Sequence, residues 1–153
     1  MNLQEQVRTH VFFSKVYFDI LWKLIKKPHD YPRDIEEMIH LAHSSFWHWR
    51  HNPRAKPEDI SRAYWLLSRT YAIAEDGKNS LFYAKRALDV AIKRELGPYH
   101  LAYAYEAMAR ASFKVNQIEK KDEYLEKSKE LCEFIEDVYE KDILLANLIS
   151  VDI

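Results

Sequence analysis

Apolar residues recur at intervals of three and four along almost the whole chain, the spacing of helices with one face buried. Phe13, Val16, Tyr17, Ile20, Leu21 and Leu24 predict a first helix from about Leu3 to Lys26, stopping ahead of Pro28. Phe12, Phe18 and Trp22 widen its stripe, which implies contact on more than one side. A second helix carries Ile35, Met38, Ile39, Ala42, Phe46 and Trp49 on one face. Asp30-Tyr-Pro32 marks its start, and Asp34, Glu36 and Glu37 complement its N-terminal dipole. HNPRAKPED, with Pro53 and Pro57, reads as a loop between hairpins. A third helix is expected from about Glu58 to Glu75, ending near Asp76-Gly77, and a fourth from about Ser80 to Glu95, ending at Gly97-Pro98. The fifth, HLAYAYEAMARASFKV, is apolar almost all round and belongs in the middle of the assembly. The sixth turns Tyr124, Leu125, Ser128, Leu131, Cys132, Ile135 and Val138 inward, and DILLANLIS forms a short last helix capping the open end.

Two of these hairpins are one pattern written twice. YWLLSRTYAIA and YEAMARASFKV align so that Tyr64 matches Tyr105, Leu67 matches Met108 and Arg69 matches Arg110, all at one offset (105 − 64 = 41). Tyr83 with Tyr124 and Ala87 with Ser128 keep that offset in the following helix. A constant offset across two helices and their turn predicts stacked hairpins, each burying a face against the next. Only two glycines are present, Gly77 and Gly97, too few for a hairpin-rich sheet protein. The expected fold is therefore all-α: a right-handed stack of about three antiparallel hairpins plus a C-terminal helix, about seven helices in a single domain over residues 1–153.

Tyr64, Leu67, Ser68 and Tyr71, followed by Ser80, Ala84, Ala87 and Leu88, resemble the large-and-small pattern of the tetratricopeptide repeat (TPR) superfamily. The offset of 41 exceeds that repeat's usual ~34, so the resemblance is TPR-like. LAHSSFWHW, WLLSRTYA and LAYAYEAMARA, across roughly residues 40 to 112, also resemble a group of uncharacterised bacterial proteins of similar length. Arg50 stands where that group suggests glycine. The first resemblance implies a concave groove lined by the first helix of each pair; the second implies no particular chemistry.

Charge narrows the partners. Net charge is −1 and basic residues are scattered, so neither nucleic acid nor an anionic membrane surface is expected. Lys15, Asp19 and Lys23 interrupt the most apolar stretch, and MNLQEQVRTH lacks a secretory pattern; a cytoplasmic protein is expected. Cys132 is the only cysteine, which precludes an internal disulfide and fits a reducing compartment.

Candidate chemistry gathers in two places. Glu106 and Arg110, four apart in the favourable order, are the charged pair of an otherwise apolar helix; Arg69 stands one repeat earlier beside Ser68. Burying such a pair contributes little net stability, so it serves either to fix helix docking or to meet a ligand's carboxylate or phosphate. The second cluster, His40, His43, Trp47, His48, Trp49 and His51, ends the second helix. Glu36, His40 and His43 could supply three ligands, yet His-x-x-His is loose spacing with nothing to complete the shell, so no metal and no cofactor is expected. His43 and His48 read instead as groups at an aromatic end of the groove, and Ser45, Ser68 and Cys132 lack the context of a nucleophile.

These observations favour a non-enzymatic module whose groove takes a peptide or partner protein, with Arg69, Glu106 and Arg110 as polar anchors and Trp49, Tyr64, Trp65 and Tyr105 as apolar contacts. A second reading is a small-molecule-binding or hydrolytic protein using His43, His48 and the Glu106–Arg110 pair. A third is a structural subunit of a homo-oligomer.

Overall fold

The structure, a computed structural model, describes residues 1–153 and contains seven helices and no strand. In chain order these are α1 (Leu3–Ile25), α2 (Ile35–His51), α3 (Pro57–Ile73), α4 (Gly77–Lys93), α5 (Pro98–Lys114), α6 (Ile118–Cys132) and α7 (Val138–Ile149). No helix is long and apolar enough to cross a membrane.

Local chemistry sets the boundaries. Asp34, Asp76 and Asp137 each accept a hydrogen bond from the backbone N–H three residues on, which starts α2, α4 and α7. Pro57 and Pro98 occupy the first turns of α3 and α5, where the missing N–H costs nothing. Glu75, Glu95 and Asn116 take left-handed backbone at the ends of α3, α4 and α5. The next N–H then bonds back to the helix, from Asp76 to Tyr71, Leu96 to Ala91 and Gln117 to Ser112 at 2.8–2.9 Å.

Three expected boundaries are corrected by these caps. Asp34, and not the Asp30-Tyr-Pro32 stretch, starts α2. Asp76-Gly77 opens α4 as well as closing α3, because the Asp76 carboxylate accepts from the Asn79 N–H. Helix α6 stops at Cys132, and Asp137 begins α7 after a short turn, leaving Val138 exposed on its first turn where an inward position was expected.

The 41-residue offset reappears as geometry. Tyr64 stacks on Tyr83 at 6.3 Å and 25°, and Tyr105 stacks on Tyr124 at 6.0 Å and 23°. Small residues line the α3–α4 seam at Ser80, Ala84, Ala87 and Ala91 of α4; of their equivalents on α6, Ser128 and Cys132 are small while Lys121 and Leu125 are not. Where α3 crosses α4, Ser61 Oγ donates to the Ala87 carbonyl at 3.3 Å. Where α5 crosses α6, Ser128 Oγ donates to the Ala102 carbonyl at 2.7 Å. Donor and acceptor have exchanged helices, but the crossing point is the same.

One apolar cluster, with Leu21, Met38, Leu66, Leu67 and Met108 at its centre, runs through α1 to α5; a second joins Ala102 and Cys132 to Leu144 and Leu148 of α7. Helix α5 packs on α3, α4, α6 and α7, the central position its sequence predicts.

Gly77 shows how the stack constrains single positions. A Cβ there would lie 2.8 Å from the Lys114 carbonyl oxygen and 2.8 Å from Val115 Cγ1, because the start of α4 abuts the end of α5. The equivalent position at the start of α6 is Ile118, which is 44% exposed, since no further hairpin closes over it. Gly77→Ala is therefore expected to destabilise by about 1–3 kcal/mol, whereas Ile118→Ala changes little. Urea denaturation of the two variants checks this; equal midpoints would refute the close contact.

Candidate functional site

Helices α1, α3, α5 and α7 share a groove, and the periodicity of each determines what it presents there. On α3 the spacing Arg62, Trp65, Arg69, Ala72 follows one stripe; on α5 the stripe is Tyr99, Tyr103, Glu106, Arg110, Lys114. Phe18, Trp22 and Ile25 form the matching stripe of α1. Two cavities open along this face. A cavity of about 240 Å³ is lined by Phe18, Trp22, Trp65, Tyr99 and Tyr103, with Arg62, His100 and Glu140 at its polar edge. The other, about 340 Å³, is bounded by Arg69, Arg110 and Lys114 beside Lys27 and Arg33.

Between them lies Glu106, fully buried. Its Oε2 accepts from Trp65 Nε1 at 2.6 Å, a contact between repeat-equivalent residues 41 apart. Its Oε1 accepts from Arg110 Nε at 2.9 Å and from Arg69 Nη1 at 3.3 Å. Arg110 has further work. Its Nη1 donates to the Ser150 carbonyl and its Nη2 to the Asn147 carbonyl, both at 2.8 Å, so it caps the C-terminal end of α7 and ties it to α5. Arg69 is less well served. Its side chain is only 12% exposed, yet Nε is buried without a partner. Burial and the nearby Arg110 charge lower its pKa to about 10, against the opposing pull of Glu106.

Arg69, Glu106 and Arg110, the polar anchors named from the sequence, thus converge, and Trp65 joins them. Trp49 lies elsewhere, lining a separate depression with Lys15 and Arg54. Tyr64, Ser68 and Tyr105 occupy the seams within hairpins: Ser68 Oγ bonds the Ser80 carbonyl at 2.9 Å, and the tyrosines stack as described above. His43 Nε2 meets Tyr71 Oη at 2.9 Å, and His48 meets His10. Neither histidine lines any of the three principal cavities. No group of three His, Cys, Asp or Glu side chains is placed to hold a metal ion; His40 faces Glu36 in solvent, away from His43's partner.

Several groove residues had no weight in the sequence. Lys114 stands four residues beyond Arg110 on the same stripe. Tyr99 and Tyr103 continue that stripe backwards. Lys27 and Arg33 belong to the α1–α2 connection, outside the repeat, and no spacing links them to Arg69.

The histidines make a pH dependence instead. His10 Nδ1 and His48 Nδ1 are 3.0 Å apart, so the contact needs one protonated and one bare nitrogen. Burial, with His10 and His51 nearby, lowers the His48 pKa, and burial beside His40 lowers that of His43. Each folded-state value lies below the unfolded ~6.5, so the unfolded chain takes up protons first as pH falls. The stabilisation is complete above ~6.5 and is lost on acidification through the lowered values. Thermal melts are expected to fall by roughly a few degrees between pH 7.5 and 5.5, with a smaller fall in His48→Gln. An identical slope in that variant would refute the assignment.

No protein-family model, no curated protein and no solved structure matches this chain.

Proposed function

We propose that the protein is a non-enzymatic, TPR-like binding module whose groove, on α1, α3, α5 and α7, receives a segment of a peptide or partner protein. The observation that carries this reading is the placement of an aromatic cavity and a cationic cavity on one face, divided only by the Trp65–Glu106–Arg69 network. An extended segment placing an apolar side chain against Trp22, Trp65 and Tyr103 reaches the arginine end without leaving the groove. Aromatic walls with a few polar groups at the edge suit such anchoring. Glu106 is spent on its three donors, which makes it a support for Trp65 and Arg69 and not a free acid or base. With His43 and His48 in other contacts, the hydrolytic alternative lacks its residues.

Selection from a random peptide library against the purified protein tests the reading. Enriched peptides are expected to carry an aromatic or large aliphatic residue, to shift Trp fluorescence, and to lose affinity in Tyr103→Ala. Enrichment of no sequence, or binding indifferent to Tyr103→Ala, would overturn it.

A further inference from the structure

The cationic cavity has an unbalanced charge. Lys27, Arg33, Arg69, Arg110 and Lys114 all border it, while the only carboxylates paired with any of them are Glu75 and Glu106. The cations are not equivalent. Arg33 spends its guanidinium on the carbonyls that end α1 and follow it, Leu24, Ile25, Lys27, His29 and Tyr31, at 2.6–3.5 Å. Arg110 is committed to Glu106 and to α7. These two are structural caps, and nothing is left over for a ligand except one N–H of Arg110.

Arg69 and Lys114 differ. Of five guanidinium N–H groups, Arg69 places one on Glu106 at 3.3 Å, and its buried Nε has no acceptor. Lys114 Nζ reaches Glu75 at 2.7 Å, which leaves two of its three N–H groups; Lys27 Nζ lies over the Tyr31 ring with no carboxylate beside it. A half-open cavity whose side chains offer more donors than acceptors favours a ligand that only accepts. Ile25, Ile35, Ile73 and Ile153 supply apolar wall between the cations, with His29, Tyr31 and Ser150 beside them. The ligand therefore carries a hydrocarbon body as well as an anionic head.

We propose that this cavity is a binding site for a phosphate monoester: the phosphoryl dianion meets Arg69, Lys114 and Lys27, and its organic body lies against the isoleucines. A dianion fits the excess of cations better than a carboxylate does, and three separate donors match the three terminal oxygens of a phosphate monoester. The inference does not rest on the peptide reading, because the phosphate head needs only this end of the groove. A free phosphate ester and a phosphorylated peptide would present the same chemistry.

The test is titration with butyl phosphate, inorganic phosphate, butyrate and a phosphoserine peptide at constant ionic strength, followed by calorimetry and by the Arg69 Nε–H resonance. Butyl phosphate is expected to bind at least tenfold more tightly than inorganic phosphate or butyrate, and to shift the Arg69 Nε–H signal. Its affinity should fall severalfold between pH 7.5 and 5, as a second pKa near ~6 is crossed. Arg69→Gln is expected to weaken binding at least tenfold; the exposed Lys27→Ala, which leaves the packing intact, is expected to weaken it about threefold. Tighter binding of the phosphoserine peptide assigns the phosphate to a modified partner, and tighter binding of butyl phosphate assigns it to a small ester. Butyrate binding as well as butyl phosphate, no Arg69 signal change, or full affinity in both variants would each overturn the proposal.

Discussion

Replacing Glu106 with alanine is expected to cost about 3–5 kcal/mol, the range for removing one partner of a buried ion pair. The carboxylate has no exposed surface and is the acceptor for Trp65 Nε1, Arg69 and Arg110. Removing it strands an indole N–H and leaves Arg69 with no partner at all. Glu106→Gln preserves the shape but turns an NH2 group towards a wall of donors, so it should also destabilise. Arg69→Met should be far milder, at about 1 kcal/mol or less. It deletes a cation whose Nε is already orphaned and relieves its repulsion from Arg110, while Glu106 keeps Trp65 and Arg110. The order of the two variants is the decisive quantity. Urea midpoints should fall much further for Glu106→Ala than for Arg69→Met, and the reverse order would mean that the network is not held by its single carboxylate.

That network was partly legible because its members obey the repeat. Arg69 and Arg110 are equivalent positions, Glu106 is one turn from Arg110, and Trp65 occupies in α3 the place Glu106 has in α5. The rest was hidden by the nature of α3 and α5, which are buried on several sides. On such a helix, apolar spacing marks burial but not which neighbour is met. Tyr64 and Trp65 are consecutive and both expected in the groove; a rotation of about 100° per residue sends Trp65 there and Tyr64 into the seam against Phe46 and Tyr83. Tyr105 and Ser68 miss the groove for the same reason. His43 and His48 sit on α2, the second helix of its hairpin, whose contacts run to Tyr71, Tyr83 and α1. Helix existence followed from spacing alone, whereas the boundaries at Asp34, Asp76 and Asp137 depended on caps that compete with neighbouring turn signals.

Arg110→Met is expected to lose about 2–4 kcal/mol, less than Glu106→Ala, since Glu106 then retains Trp65 and Arg69. Its distinguishing effect lies in α7. That helix meets the body through Leu144 and Leu148, and its C-terminal carbonyls at Asn147 and Ser150 depend on the Arg110 guanidinium. Met restores the aliphatic volume but neither donor, so the last turn of α7 should open locally before the molecule unfolds. Hydrogen exchange of the amides from Leu145 to Ile149 should accelerate by at least tenfold more than exchange in α5. The consequence reaches both cavities, because α7 and the residues after it supply Glu140 and Ile143 to one and Ser150 and Ile153 to the other. Loosening α7 should therefore weaken an aromatic ligand and a phosphate ester together, whereas Arg69→Gln weakens only the latter. Protection of α7 equal to that of α5 in the Arg110→Met protein would show that apolar packing alone holds the helix, and that Arg110 is no more than a partner of Glu106.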